Sequence, residues 1–236
     1  MVQGKRVAIC LSGQPRFLDR CWPSIKRHLV APLEADIFGH FWCSVSKLSI
    51  DQLLYTSDAS KFVQYIKLNP DILKQFNYVV YEPQLYFDQS LYKSSCTEEN
   101  SRMQSKSFQG VLSMHYSIWR ADQIRQIYEA DKGRYDLIIR CRTDMEWHQE
   151  PNWDEILHLS KFGIITPDHE TYGCVNDQVA FGTSRDIGEY SLCYFNIPAL
   201  FRAGTNFHPE TILRDHLKNR GVNWNQIPIK YKLTKE

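Results

Sequence analysis

No stretch of this chain is apolar for long enough to cross a bilayer, which takes roughly 20 residues. Charge of one sign is lacking as well: 28 Lys and Arg stand against 27 Asp and Glu, a formal net charge of +1. No global field is available to recruit nucleic acid, and no nucleic-acid partner is expected. The seven cysteines include no C-x-x-C pair. Scattered, odd in number and mostly inside apolar runs, they read as buried free thiols in a reducing compartment, not as a disulfide framework or a zinc site. Met1 to Arg6 leads straight into a strand-like run with no signal-peptide hydrophobic region, so a cytoplasmic protein is expected, with peripheral membrane contact left open.

Several catalytic signatures are missing too. There is no G-x-x-x-x-G-K-[ST] for an NTPase, no G-x-G-x-x-G for a dinucleotide, no G-x-S-x-G elbow and no H-E-x-x-H. The eight histidines lack metal-ligand spacing, which argues against a zinc enzyme; His208 is the one worth testing. No internal repeat, low-complexity tract or linker divides the chain. Its 236 residues, 43% hydrophobic, fit a single globular domain.

What is present alternates between strand and helix. Val7 to Leu11 is a compact apolar run closed by Ser12-Gly13-Gln14-Pro15-Arg16, and a helical pattern follows through Phe17, Cys21, Trp22, Ile25 and Leu29. Ala35 to Trp42 reads as a second strand, so the opening is a βαβ unit with a parallel pair. A helix is expected over about 50–74, interrupted at Pro70, and a third strand at Tyr78 to Tyr81 stops at Glu82-Pro83. Residues 84–106 are polar and aperiodic and predict neither helix nor strand. Val111, Met114, Ile118, Ala121, Ile124 and Ile127 or Tyr128 then recur at helical spacing over about 107–130. Further strands are expected at Gly163 to Pro167 and Val179 to Gly182, helices at Ser184 to Phe201 and from His208 with Pro209 in its first turn, and a last strand within 222–232.

The organising stretch is Tyr135-Asp-Leu-Ile-Ile-Arg-Cys-Arg-Thr-Asp-Met-Glu-Trp147. Its apolar run, Leu137 to Ile139, fits a strand buried on both faces, and it stops abruptly in Arg140, Arg142, Asp144 and Glu146. Ligands of open α/β sheets bind beyond the carboxyl ends of the strands. Asp144 and Glu146, two apart, would share one side of an extended segment and could chelate a hard cation; the bland alternative is an ion-pair network with Arg140 and Arg142. A small-residue loop at Ser12 to Arg16 offers backbone N–H groups and a guanidinium to an anion. Asn176, Asp177 and Gln178, polar ahead of a buried strand, must find partners or face a cavity, and His208 with Glu210 forms a fourth cluster. Together these describe a site for a diphosphate joined to a polyol, with a divalent metal neutralising the leaving diphosphate.

The motif Tyr135-Asp-Leu-Ile-Ile-Arg-Cys-Arg-Thr-Asp144 resembles the Y-D-x-x-I-R-x-R-x-D signature of GT-A-like glycosyltransferases found in bacterial polysaccharide loci and large viruses. Val7 to Arg16, Ser113 to Ile118, Asn176 to Gly182 and Pro209 to Leu213 resemble other segments of that group in the same order. The resemblance implies a single-domain α/β/α sandwich with a mixed, mostly parallel sheet, its nucleotide-binding half about 1–147 and its acceptor side about 148–236. It implies a metal-dependent enzyme moving a sugar from a nucleotide-diphosphate sugar to a hydroxyl of a glycan acceptor. Asp144 would be the main ligand of Mn²⁺ or Mg²⁺, with Glu146 in place of the usual second aspartate and His208 completing the shell. Ser12, Gly13, Gln14 and Arg16 would line the nucleotide pocket, while Arg140 or Arg142 would meet phosphate. Asn176 and Gln178 would contact the donor, and Asp177 would touch sugar or acceptor and serve as general base. Two other readings stand beside it. One is a sugar-phosphate nucleotidyltransferase; the other is a catalytically silent carbohydrate- or nucleotide-binding module with Trp42, Trp147 and Trp153 as stacking platforms.

Overall fold

The computed structural model describes residues 4–43, 68–94 and 108–234. β1 (Val7–Gly13), β2 (Asp36–Cys43), β3 (Tyr78–Pro83), β4 (Leu137–Arg142), β6 (Ile164–Pro167), β7 (Val179–Gly182) and β8 (Trp224–Ile227) form a seven-stranded sheet in the order β3-β2-β1-β4-β7-β6-β8. β7 alone runs antiparallel to its neighbours, so the sheet is mixed and mostly parallel, in an α/β chain. The sheet crosses the middle of the sequence: Ile138 of β4 pairs with Gly182 of β7. β5 (Met145–Trp147) and β9 (Tyr231–Leu233) leave it to make a separate antiparallel pair.

Strand alternation divides the core into two layers. Val7, Ile9 and Leu11 join one apolar cluster and Ala8 and Cys10 the other, as a period of two requires of a strand covered on both faces. The first layer holds α1 (Leu18–Ile25), α2 (Ala31–Leu33), α3 (Pro70–Leu73) and α6 (Trp153–Leu159) against the sheet, through residues such as Trp22, Leu33, Ile72 and Ile156. The second holds α4 (Ser90–Ser94), α5 (Phe108–Lys132), α7 (Ser184–Ser191), α8 (Cys193–Arg202) and α9 (Pro209–Arg220). No helix among the described residues is long and apolar enough to cross a membrane. Six described cysteines are free, five of them buried; Cys96 lies outside the described residues.

Three local readings need revision. Pro70 opens a short helix instead of interrupting one: Asn69 caps it by accepting from the Asp71 N–H at 2.9 Å, and the rest of the helix expected over 50–74 lies outside the described residues. α4 falls where neither helix nor strand was expected, because Asp88 accepts from the Ser90 N–H and Tyr92 is packed among Phe108, Phe201 and Phe207. The segment after Ser184 is two helices, α7 and α8, broken at Leu192. On α5 the expected stripe holds from Val111 through Ile124 and ends in Tyr128, Ile127 being exposed; Asp122 and Arg125 are buried beside it. Arg125 bonds Asp122 and Ser184, and Ser191 donates to Asp122, so the polar pair ties α5 to α7.

Candidate functional site

β1, β2 and β4 all point the same way, and their carboxyl ends open on a cleft of about 560 Å³. Gly13 takes φ +115°, a conformation that L side chains rarely adopt, and turns the chain off β1. The loop it starts brings Ser12, Gly13, Gln14 and Arg16 to the cleft wall. β4 ends beside it, and Arg140, Arg142, Thr143 and Asp144 line the same space. The two loops are stitched together by the Thr143 hydroxyl, which donates to the Gln14 carbonyl at 2.7 Å. Three arginines face one aspartate, so the cleft carries an excess of positive charge and suits a polyanion.

Arg142 holds Asp144 with both arms, Nε to Oδ1 at 2.8 Å and Nη2 to Oδ2 at 2.7 Å. Burial disfavours the charge on Arg142, yet the bonds to Asp144 and the nearby charge of Asp177 bind its proton more firmly than usual. The Asp144 carbonyl accepts from the Thr234 N–H at 2.8 Å, which fixes the turn from the other end of the chain. Arg140 is 2% exposed and donates from Nη1 to the Asp177 carbonyl.

Other expected residues lie elsewhere. Thr143 and Asp144 form a turn, so the segment is not extended across Asp144 and Glu146 and the two-residue spacing does not put them on one side. Glu146 sits on β5 opposite Lys232 and does not line the cleft. Asn176 donates to the His169 carbonyl and the Tyr231 hydroxyl and accepts from the Gln178 N–H, while the Gln178 side chain accepts from Tyr231. Asp177 is 1% exposed and outside the cleft lining, and no described residue hydrogen-bonds its carboxylate. His208 Nδ1 lies 2.6 Å from Glu210 Oε2, next to Pro209, which does line the cleft. Among the described residues no group of three or more His, Cys, Asp or Glu is placed to hold a metal.

No protein-family model and no curated protein matches the chain. Its chemistry has to be read from the residues themselves.

All three tryptophans read as stacking platforms are buried; Trp42, 4% exposed, borders the cleft from within the core. Trp42 is clamped: its ring stacks on Tyr116 with centroids 5.3 Å apart, His40 meets it edge-on at 4.9 Å, and its Nε1 donates to the Ser113 carbonyl. Behind them Glu82 accepts from the Tyr116 hydroxyl and Arg120 Nε, both at 2.9 Å, with His40 Nε2 at 3.4 Å. The His40 contact, with Arg120 and Tyr116, outweighs burial and draws the Glu82 carboxyl down to about 2. Burial pushes the His40 imidazole below its ordinary value against the pull of Glu82. This acid-and-aromatic clamp escaped sequence reading, although the signal was present: Glu82 ends an apolar strand much as Arg140 does. Gln84, Gln109 and Ser113, further polar residues of the lining, carry no such signal.

Proposed function

We propose that this chain is a metal-dependent glycosyltransferase of GT-A type, moving a sugar from a nucleotide-diphosphate sugar to a hydroxyl of a glycan acceptor. The observation that carries the reading is the meeting of Arg16, Arg140, Arg142 and Asp144 in one cleft with the Ser12 to Gln14 loop. The resemblance of the Tyr135 to Asp144 motif supplies the reaction, and the mixed, mostly parallel sheet agrees with the fold it implies.

The donor set fits a cation that arrives with its substrate. Among the described residues the cleft lining carries one carboxylate beside several guanidiniums, and Mg²⁺ and similar cations are commonly held by one or two carboxylates plus substrate phosphates. When bound, such an ion would offset the charge that develops on the departing diphosphate. Asp144 would hold it. Arg16 and Arg142 would grip phosphate oxygens as planar forks, already oriented by the loops that carry them. Trp42, stacked on Tyr116, which Glu82 holds in turn, stiffens the cleft floor from behind. Asp177, buried outside the cleft lining, acts in this reading as a positioning residue whose carbonyl accepts from Arg140.

The test is a panel of nucleotide sugars with and without Mn²⁺, scored by melting temperature and by nucleotide release. Metal-dependent stabilisation by one donor, lost in Asp144→Ala, is expected. Donor binding that ignores both EDTA and the Asp144 substitution would remove the metal role, and release of pyrophosphate from NTP would replace the reaction.

A further inference from the structure

Tyr172 stands out in the loop between β6 and β7. Its ring is 70% exposed, although an aromatic side chain gains most of its stabilising effect from burial. Its backbone has φ +48°, a left-handed conformation that a bulky side chain adopts only at a cost. Glu170 two residues earlier and Gly173 immediately after also take positive φ. This loop is pinned from below. Cys174 Sγ lies 3.6 Å from the Thr211 hydroxyl and accepts from Arg214 Nη1, and the Cys174 carbonyl accepts from Gln226. Tyr172 is therefore held in a costly conformation by its surroundings, with no burial in return. Persistent strain of this kind marks residues whose position serves a ligand.

The place of the ring narrows the ligand. Its centroid is 5.2 Å from that of His208, edge to face, and the next residue, Pro209, forms part of the cleft wall. Tyr172 itself is outside that lining and reaches its edge only through His208, the neighbour of Pro209. Among the described residues Glu170, Thr171 and His208, all polar, flank the ring. A lone aromatic face in a polar setting suits a sugar ring, whose C–H face packs on the ring while its hydroxyls stay hydrogen-bonded at the edges.

We propose that Tyr172 is the platform on which a pyranose ring of the acceptor glycan stacks, making it a specificity-determining residue of the acceptor side. The inference rests on the glycosyltransferase reading for the word acceptor; the platform itself stands on exposure, strain and location.

Saturation-transfer NMR with methyl glycosides of glucose, galactose, mannose and N-acetylglucosamine tests it on the intact protein, with UDP and GDP titrated separately. Wild type is expected to bind at least one glycoside. Tyr172→Gly, which removes the ring and accepts positive φ, should weaken that glycoside by about tenfold or more while UDP and GDP affinities stay unchanged. Its melting temperature should hold or rise, because strain is relieved; Tyr172→Phe should keep the glycoside. Unchanged glycoside binding in Tyr172→Gly, no glycoside bound by wild type, or a lowered melting temperature in Tyr172→Gly would each overturn the proposal. Failure of UDP and GDP alone would count against the donor reading and leave the platform standing.

Discussion

The Arg142 guanidinium and the Asp144 carboxylate face each other across two parallel hydrogen bonds of 2.8 and 2.7 Å in the cleft wall. Each group is the other's competitor for ligand: a cation must take Asp144 from Arg142, and a phosphate must take Arg142 from Asp144. Side-chain exposures of 31% and 21% leave both within reach of an incoming ligand.

Metal and diphosphate should therefore bind together better than either binds alone. Calorimetric titration of Mn²⁺ is expected to show weak binding to the free protein and at least about tenfold tighter binding in the presence of UDP or GDP, a coupling of about 1.4 kcal/mol or more. Equal Mn²⁺ affinity in both conditions would show that the ion pair does not gate the site.

Arg142→Gln separates the two partners. With the guanidinium gone, Mn²⁺ should bind the free protein more tightly, while UDP in EDTA should bind more weakly by about 1.5–3 kcal/mol, the usual worth of a charge-assisted hydrogen bond. Asp144→Asn should shift Mn²⁺ in the opposite direction. If both substitutions moved Mn²⁺ affinity the same way, the pair would be a structural brace.

A pH dependence follows from His115. It is fully buried, and neither ring nitrogen meets a hydrogen-bond partner among the described residues. Burial, followed by the nearby Arg140 and His216, pushes its pKa from 6.5 down to about 3. Below pH 6.5 the unfolded chain takes up a proton that the folded chain refuses. The group's contribution is thus fully present above pH 6.5 and lost as pH falls towards 3, with a slope of up to about 1.4 kcal/mol per pH unit. Urea denaturation of His115→Leu at pH 7, 6, 5 and 4 should show that slope reduced relative to wild type. Parallel curves would mean that His115 is protonated, or hydrated, in the fold.

Gly163 is a stability test far from the cleft. It takes φ +144°, and a Cβ there would lie 2.3 Å from the Asn223 carbonyl oxygen, the acceptor for the Ile164 N–H that sets β6 against β8. Gly163→Ala should cost about 3 kcal/mol or more, from backbone strain plus overpacking, and lower the urea midpoint accordingly. A loss below about 1 kcal/mol would show that β8 shifts freely.

Much of the frame was legible because it follows from one-dimensional patterns. The apolar runs at Val7 and Leu137 and the helical spacing from Val111 carry strand and helix in their periods alone. The convergence of Ser12 to Arg16 with Arg140 to Asp144 was legible as well, since parallel strands put their carboxyl ends on one edge. What escaped depends on side chains meeting across the fold. Arg125 and Asp122 look like solvated helix residues until Ser184 and Ser191 arrive to receive them. Glu146 looked like a partner of Asp144 because a spacing of two assumes an extended chain, and the turn at Thr143 is set by Gln14, more than a hundred residues away. Tyr172 gives no signal in its letters; its meaning lies in a backbone angle.

The amide of Thr234 and the strand Tyr231–Leu233 give the Asp144 turn its final shape. During synthesis the arginine-bearing strand and the glycine loop can associate long before those residues leave the ribosome, since long-range pairing must wait for its later member. The cleft thus acquires its grip on anions early and the final placement of Asp144 last.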